Sequence, residues 1–377
     1  MEGMREKDIK HRDSSMRRMT AGCILFAAGL LLLFAAKKVP GLADWYSRHI
    51  YRKLARVIGW AAGLFPFSLV EIGLYIFIVT LAALAARTAL KALRKQGGRS
   101  AVSRFLSGVF LTGGVLFFLY AVNCGVNYER TSFSESADLK TREYTAEELK
   151  EVCLWLTDEV NEISGSVGRG NDKVMTLDGN VKEGAVEAME GLGGTYPELA
   201  GHYPVPKPLI NSWILSVQNL TGIYSPFTVE ANYNNAMTAY NIPFTACHEL
   251  SHLSGFMQEQ EANFIAWLAC TNSSRADFKY SGRLMGWIYC MNILHKADYE
   301  AYAEVRAGLS SDIEPDLQAN HDFWEKYDGR IAEVANQVND TYLKANGQKE
   351  GVESYDKMVD LIVAYYFAHE DQGQSRR

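Results

Sequence analysis

Ile242-Pro-Phe-Thr-Ala-Cys-His-Glu-Leu-Ser-His-Leu-Ser-Gly-Phe256 contains His248-Glu249-x-x-His252. On a helix, residues four apart share a face, so His248 and His252 can offer two imidazoles to one metal ion. Glu249 lies one step round from the first imidazole, within reach of a water activated at that metal. The flanks favour a helix here. Pro243 suits a first turn, Phe244 to Leu253 holds no breaker, and Gly255 is a natural stop.

A catalytic zinc site takes three protein ligands and leaves one position open. The chain continues Leu253-Ser-Gly255-Phe-Met-Gln258-Glu259-Gln-Glu261-Ala-Asn263-Phe-Ile-Ala-Trp267. Up to Gly255 this resembles the H-E-x-x-H-x-x-G-x-x-H pattern of metzincins, but Gln258 stands where their third His would be. A neutral amide is a poor zinc ligand. A nearby carboxylate, Glu259 or Glu261, makes the site resemble that of gluzincins instead, which take two His from one helix and a Glu from the next.

Helix phase separates the two carboxylates. At about 100° per residue, Glu259 and Glu261 lie about 200° apart on a second helix, so only one can point at the metal. Phe264, Ile265 and Leu268 must face the core, and Glu261 lies on their side. The expected ligands are therefore His248, His252 and Glu261. Glu259 is expected on the solvated side, near the positive end of the helix dipole.

The chain also resembles an uncharacterised, domain-of-unknown-function family of bacterial three-span membrane proteins. The stretches that carry the resemblance are Pro226-Phe-Thr-Val-Glu-Ala-Asn232, Pro243 to His252, Glu259-Gln-Glu-Ala-Asn-Phe264, Tyr280-Ser-Gly282 and Tyr342-Leu-Lys-Ala-Asn346. The resemblance implies a membrane-anchored zincin and supplies no substrate.

Three apolar runs, about 19–36, 66–86 and 105–127, are long enough to approach or complete a membrane span. No small-x-small cleavage site follows the first, so it reads as a span rather than a signal peptide. The expected organisation is a membrane region, 1–128, followed by a zincin-like domain, 129–377. Between the first two spans, Leu42, Trp45, Leu54, Val57, Ile58 and Trp60 recur at near-helical spacing, as in a helix lying in the membrane interface. Glu71 is the only acid within a span and reads as structural.

Charge divides the chain at the same place. Residues 1–128 hold 18 Lys/Arg against 6 Asp/Glu, and residues 129–377 hold 20 against 38. An acidic domain without a basic cluster excludes nucleic acid as partner. Arg5, Lys7, Lys10, Arg12, Arg17 and Arg18 precede the first span. Arg87, Lys91, Arg94, Lys95, Arg99 and Arg104 separate the second from the third. Both basic segments belong inside, so the domain faces outward from a multi-pass protein of the cell membrane.

The domain reads as mostly α with a small β-sheet. Thr145-Ala-Glu-Glu148 is a capping box before a helix carrying Leu149, Val152, Leu156, Val160 and Ile163, and Asn180 caps another. Gly165 to Gly170 is a flexible loop, since no Gly-Lys-Ser/Thr follows. Trp213-Ile-Leu and Ile223 to Val229 are the strand candidates. By resemblance to zincins, Phe227 to Asn232 is the candidate substrate-pairing edge, with Glu230 and Asn232 facing the cleft. Further helices are expected over 262–269, 282–296, 298–307, 323–343 and 352–367, before a polar, basic tail. Cys23 and Cys124 fall in membrane segments. Cys153, Cys247, Cys270 and Cys290 lie in the outer domain without C-x-x-C spacing, and Cys247 is assigned to the core rather than to zinc.

The expected activity is zinc-dependent peptide hydrolysis, with Glu249 as general base, Zn2+ as cofactor, and a peptide or protein as substrate beside the lipid bilayer. Tyr280, Tyr342 and Tyr355 are candidate oxyanion donors. A di-iron carboxylate site would need a second Glu-x-x-His, which the chain lacks. The alternative reading is a catalytically idle anchor or assembly protein that keeps the metal in a closed, structural site. The topology has a direct test: a reporter active only in the cytoplasm, fused after Arg377, is expected to be silent, and a bright signal would place the metal motif inside.

Overall fold

The computed structural model describes residues 2–94 and 98–371, with side chains at 13–94 and 99–369. The side chains of Arg5, Lys7, Lys10 and Arg12, together with Lys95 and the basic end of the C-terminal tail, lie outside the described residues. The described chain is mostly helical, with one three-stranded sheet. It divides into two compact units. The first comprises Met1–Leu54, Leu69–Arg130 and Pro226–Thr228, and the second Ala55–Ser68, Thr131–Ser225 and Val229–Arg377.

In chain order, α1 (Glu2–Lys38) leads through the short α2 (Leu42–Tyr46) and a π turn at Ser47–Tyr51 into α3 (Arg52–Gly63). Then come α4 (Leu69–Leu93) and α5 (Gly98–Asn123). Three stretches, Asp13–Lys38, Leu69–Leu93 and Arg99–Glu129, are long and apolar enough to cross a membrane. In the first unit, α1 packs along α5 through small residues that let the two backbones approach. A Cβ on Gly114 would lie 2.9 Å from the Gly22 carbonyl oxygen. Glu71, in the first turn of α4, is buried and accepts a hydrogen bond from the Tyr75 hydroxyl at 2.8 Å.

The second unit takes up α3 from Ala55 onward. Ala55, Gly59 and Ala62 turn inward, while Val57 and Trp60 stay exposed, which is the amphipathic pattern expected of this segment. Next follow α6 (Phe133–Ser136), α7 (Ala146–Ser164) and α8 (Val181–Leu192). Thr145 and Glu148 form the capping box of α7, and the Asn180 side chain caps α8. The sheet comprises β1 (Lys207–Pro208), β2 (Gly222–Ser225) and β3 (Glu230–Tyr233), in the order β1-β3-β2, with α9 (Trp213–Ser216) between β1 and β2 in sequence. Strand β1 runs parallel to β3 and β2 antiparallel to it.

The remaining helices are α10 (Asn241–Leu253), α11 (Glu259–Thr271), α12 (Ala276–Ala297), α13 (Tyr299–Ala307), α14 (Glu314–Glu325), α15 (Arg330–Ala345) and α16 (Met358–Asp371). Helix α10 is buried along its whole length and α11 along all but Gln260 and the final Thr271. They form the centre of the unit, packed by α8, α12 and α16.

Four expectations change. Trp213-Ile-Leu is helical, a single turn begun at Ser212 that leaves Trp213 exposed. The expected helix over 323–343 is two, because the chain turns after Glu325 and is extended at Gly329. The 352–367 helix is preceded by a 3-10 turn at Gly351–Tyr355. Phe227 lies in a turn, and β3 is the central strand, so the sheet edge beyond β3 on this side is β2.

Glu230 does not face a cleft. Its carboxylate accepts from Lys207 Nζ at 2.6 Å, and the same ammonium donates to the Ala62 carbonyl at 2.7 Å. Asn232 is fully buried, its amide donating to the Ile223 and Glu230 carbonyls. The Lys207–Glu230 pair thus ties the end of α3 to the sheet, and removing one partner strands a charge in the core. Lys207→Met should destabilise the protein by about 3–5 kcal/mol. Lys207→Met/Glu230→Leu should recover much of that loss in chemical unfolding, since neither charge is then left alone.

Candidate metal centre

Helix α10 carries the motif. The Ser281 hydroxyl accepts from the Phe244 N–H at 3.1 Å in its first turn, and Gly255 ends it at φ 99°, a left-handed conformation that glycine adopts without strain. His248 and His252 face the same way, ring centroids 4.6 Å apart and nearly perpendicular. The His252 Nδ1 lies 2.8 Å from the Phe256 carbonyl oxygen, so Nδ1 carries the proton and Nε2 is the free ligand atom.

The chain then turns through Phe256 and Met257, and Gln258 is extended before α11 begins at Glu259. That turn brings the start of α11 onto the histidine face of α10. Glu259 Oε2 lies 3.3 Å from His248 Nε2 and 3.4 Å from His252 Nε2. Neither contact has hydrogen-bond geometry, and Glu259 Oε2 and His248 Nδ1 have no hydrogen-bond partner among the described residues. The three donors converge on a point rather than on one another. Ligands about 2.0–2.1 Å from a tetrahedral ion lie about 3.3–3.4 Å apart, which is the spacing of Glu259 Oε2 from each imidazole nitrogen. His248, His252 and Glu259 therefore fit a divalent cation.

The electrostatics agree. Burial alone would raise the Glu259 carboxyl, but the charge of His252 and the nearness of both imidazoles drive it down to about 2. Burial works against a charged His252 too, yet Glu259 outweighs it and the imidazole is raised to about 9. Burial lowers His248. A buried carboxylate facing two imidazoles thus demands positive charge, which a proton or a cation can supply.

Glu261 is elsewhere. Its carboxylate accepts from the Ser134 N–H at 2.9 Å and the Ser134 hydroxyl at 2.7 Å, anchoring the start of α6 to α11. Burial raises its carboxyl, partly offset by those two bonds. The expectation of Glu261 beside the imidazoles fails for a physical reason. The phase argument assumed that α11 has one core side and one solvated side, and here both carboxylates are buried.

Glu249 is buried beside the imidazoles. Its Oε2 has no hydrogen-bond partner among the described residues, and burial pushes its carboxyl up to about 8. Strand β2 packs directly on it: a Cβ on Gly222 would lie 2.8 Å from both Glu249 Cγ and Thr245 Cγ2. Gly222, Thr245, His248, Glu249 and Asn263 line one side of a cleft of about 590 Å³, and α15 contributes Asn336 and Asn339 to its lining.

The tyrosines separate by position. Tyr355 lines the cleft, its hydroxyl pushed up by burial and by the nearby Glu259 and Glu249 charges. Tyr280 donates to Asp316, which also pairs with Arg169, and Tyr342 lies in a different groove. Tyr289, not singled out by the sequence, also lines the cleft, with Asn263 Nδ2 3.5 Å from its hydroxyl. Nothing in the aromatic-rich run of α12 marks it. Gly222 was missed as well, since its value lies in what packs against it.

Cys247 is buried with its Sγ 3.7 Å from Cys270 Sγ, and all six cysteines are free thiols. A second group, His321, Asp322 and Glu325, is exposed on α14.

The family described as "Protein of unknown function (DUF3810)" matches residues 46–363. The chain belongs to that family. The match covers two of the three candidate spans, the motif helix and both acidic residues of α11. No curated protein and no solved structure matches the chain.

The ligand assignment predicts a clean separation. Glu259→Ala should lose bound metal after mild chelation, read by elemental analysis, while Glu261→Ala should keep it. The second variant should be less stable by about 1–3 kcal/mol, since two Ser134 donors lose a buried acceptor.

Proposed function

We propose that this protein is a membrane-anchored zinc metallopeptidase of the gluzincin kind, with His248, His252 and Glu259 as ligands and Glu249 as general base. The observation that carries this reading is a buried Glu259 carboxylate 3.3 and 3.4 Å from the Nε2 atoms of His248 and His252, with His248 and the buried Glu249 lining a cleft. When bound, zinc would supply Lewis acidity, making a water acidic at neutral pH and polarising a carbonyl.

The chain's own groups supply the rest. Glu249, buried beside the imidazoles with one oxygen unengaged, takes the proton of the attacking water and returns it to the leaving amine. Tyr355 is the candidate donor to the developing oxyanion. Strand β2 lies at the sheet edge and begins against Glu249, so an extended peptide can add to it while its scissile bond reaches the imidazoles. The three candidate spans and the basic residues before the first and between the second and third support an activity outside the cytoplasmic membrane.

The idle-anchor alternative calls for a closed site. Among the described residues the group holds three donors, and one of them, His248, lines a cleft together with Glu249, which favours chemistry.

Glu249→Gln should bind zinc as the parent does while losing about 10²–10⁴-fold in turnover of a peptide mixture followed by mass spectrometry. Near-parental turnover would refute the mechanism. Gly222→Val should also abolish turnover, because its side chain must displace Glu249; retained activity would show that β2 does not constrain the base.

A further inference from the structure

Helix α15 carries apolar residues that the fold leaves exposed. Ile331, Val334, Val338 and Tyr342 are 60%, 52%, 64% and 40% exposed. Spaced three, four and four apart, they fall within an arc of about 80°, a single stripe along one face. Opposite them, α9 and the residues after it present Trp213, Ile214, Val217 and Leu220, and the two sides enclose a groove of about 540 Å³. Trp213 is itself 57% exposed. Exposed apolar side chains on both walls of one groove make a surface suited to an apolar partner.

The groove runs on from the metal cleft. Gln218, Leu220, Ala335 and Asn339 line both. The chemistry changes along the way. The cleft presents side-chain amides, Gln218, Asn219, Asn263, Asn336 and Asn339, which donate to and accept from a peptide backbone without selecting side chains. The groove presents aliphatic and aromatic side chains. From Ile331 to Tyr342 the stripe is about 16 Å long at 1.5 Å per residue, the span of about five residues of extended chain at 3.3 Å each.

We propose that this groove is a substrate subsite that holds an apolar stretch of about five residues in the polypeptide being cleaved, on one side of the scissile bond. The inference rests on the peptidase reading and gives it a substrate class: extended polypeptide with a short apolar run next to the cleavage point. The occupant follows from continuity, since a chain threaded past His248 and Glu249 leaves the amide-lined cleft into the groove. Val334 and Val338 act there by contact with substrate side chains and take no part in the chemistry.

The test uses the full chain in lipid nanodiscs, zinc-loaded, carrying Glu249→Gln so that peptides bind without being cut. Three fluorescein-labelled dodecapeptides share one central sequence. One has a Leu/Phe/Val block of five residues before it, one has the block after it, and one has Ser/Gly at both ends. By fluorescence anisotropy, one block peptide should bind at least tenfold more tightly than the Ser/Gly peptide. Val334→Asp/Val338→Asp, two exposed positions, should abolish that difference, leave the Ser/Gly peptide unchanged and unfold at the parental temperature.

Equal binding of all three peptides, no binding of either block peptide, or a block preference that survives the two aspartates would each overturn the proposal. So would a dimer seen by sedimentation that the aspartates dissociate, because a second copy would then fill the groove. Repeating the series with Glu249 intact separates the two readings. Block-dependent binding without cleavage condemns the peptidase assignment alone, and cleavage indifferent to the block condemns the groove alone.

Discussion

A carboxylate held against two imidazoles inside the protein is the constraint on which the rest of this structure depends. Glu259 lies 3.3 and 3.4 Å from His248 and His252, and all three are almost completely buried. Such an arrangement is costly unless positive charge accompanies it. The surrounding architecture holds the donors in place: the Phe256 carbonyl fixes the His252 ring, and the Gln348 side chain accepts from the Glu259 N–H at 3.1 Å. Orientation of this kind, from groups just outside the ligands, is what a metal site requires.

The same short turn does two jobs. Gly255 stops α10 in a conformation that suits glycine, and four residues later α11 starts with Glu259 at its first position. A carboxylate there is favoured by the helix N-terminus as well as by the imidazoles. Two residues on, Glu261 secures α6 through Ser134, so neighbouring carboxylates of one helix meet different partners, one the imidazoles and the other the start of α6.

The proposed function rests on what packs around Glu249. Strand β2 crosses it closely enough that Gly222 has no room for a side chain, while the cleft gives it access to a substrate. Helix α15 belongs to both regions: its amide residues help line the cleft and its apolar stripe faces away into the adjoining groove. A mostly buried central pair of helices with a loosely covered outer helix suits the proposed activity, which would need fixed donors and an accessible surface for substrate.

The sequence by itself determined the motif helix, the three apolar spans, the capping box of α7, the Asn180 cap of α8 and the mostly helical class. Each of these rests on local chemistry: a period of 3.6, a capping side chain, an uncharged run. It also restricted the third ligand to two carboxylates. Choosing between them was beyond local rules, because periodicity identifies an inward face only when a helix has an outward one, and both carboxylates of α11 are buried. Only the tertiary structure decided that Glu259 meets the imidazoles, that Glu230 serves Lys207 rather than a cleft, and that Tyr289 and Gly222 adjoin the site. Those facts depend on contacts between residues distant in the chain, which no pattern along it encodes.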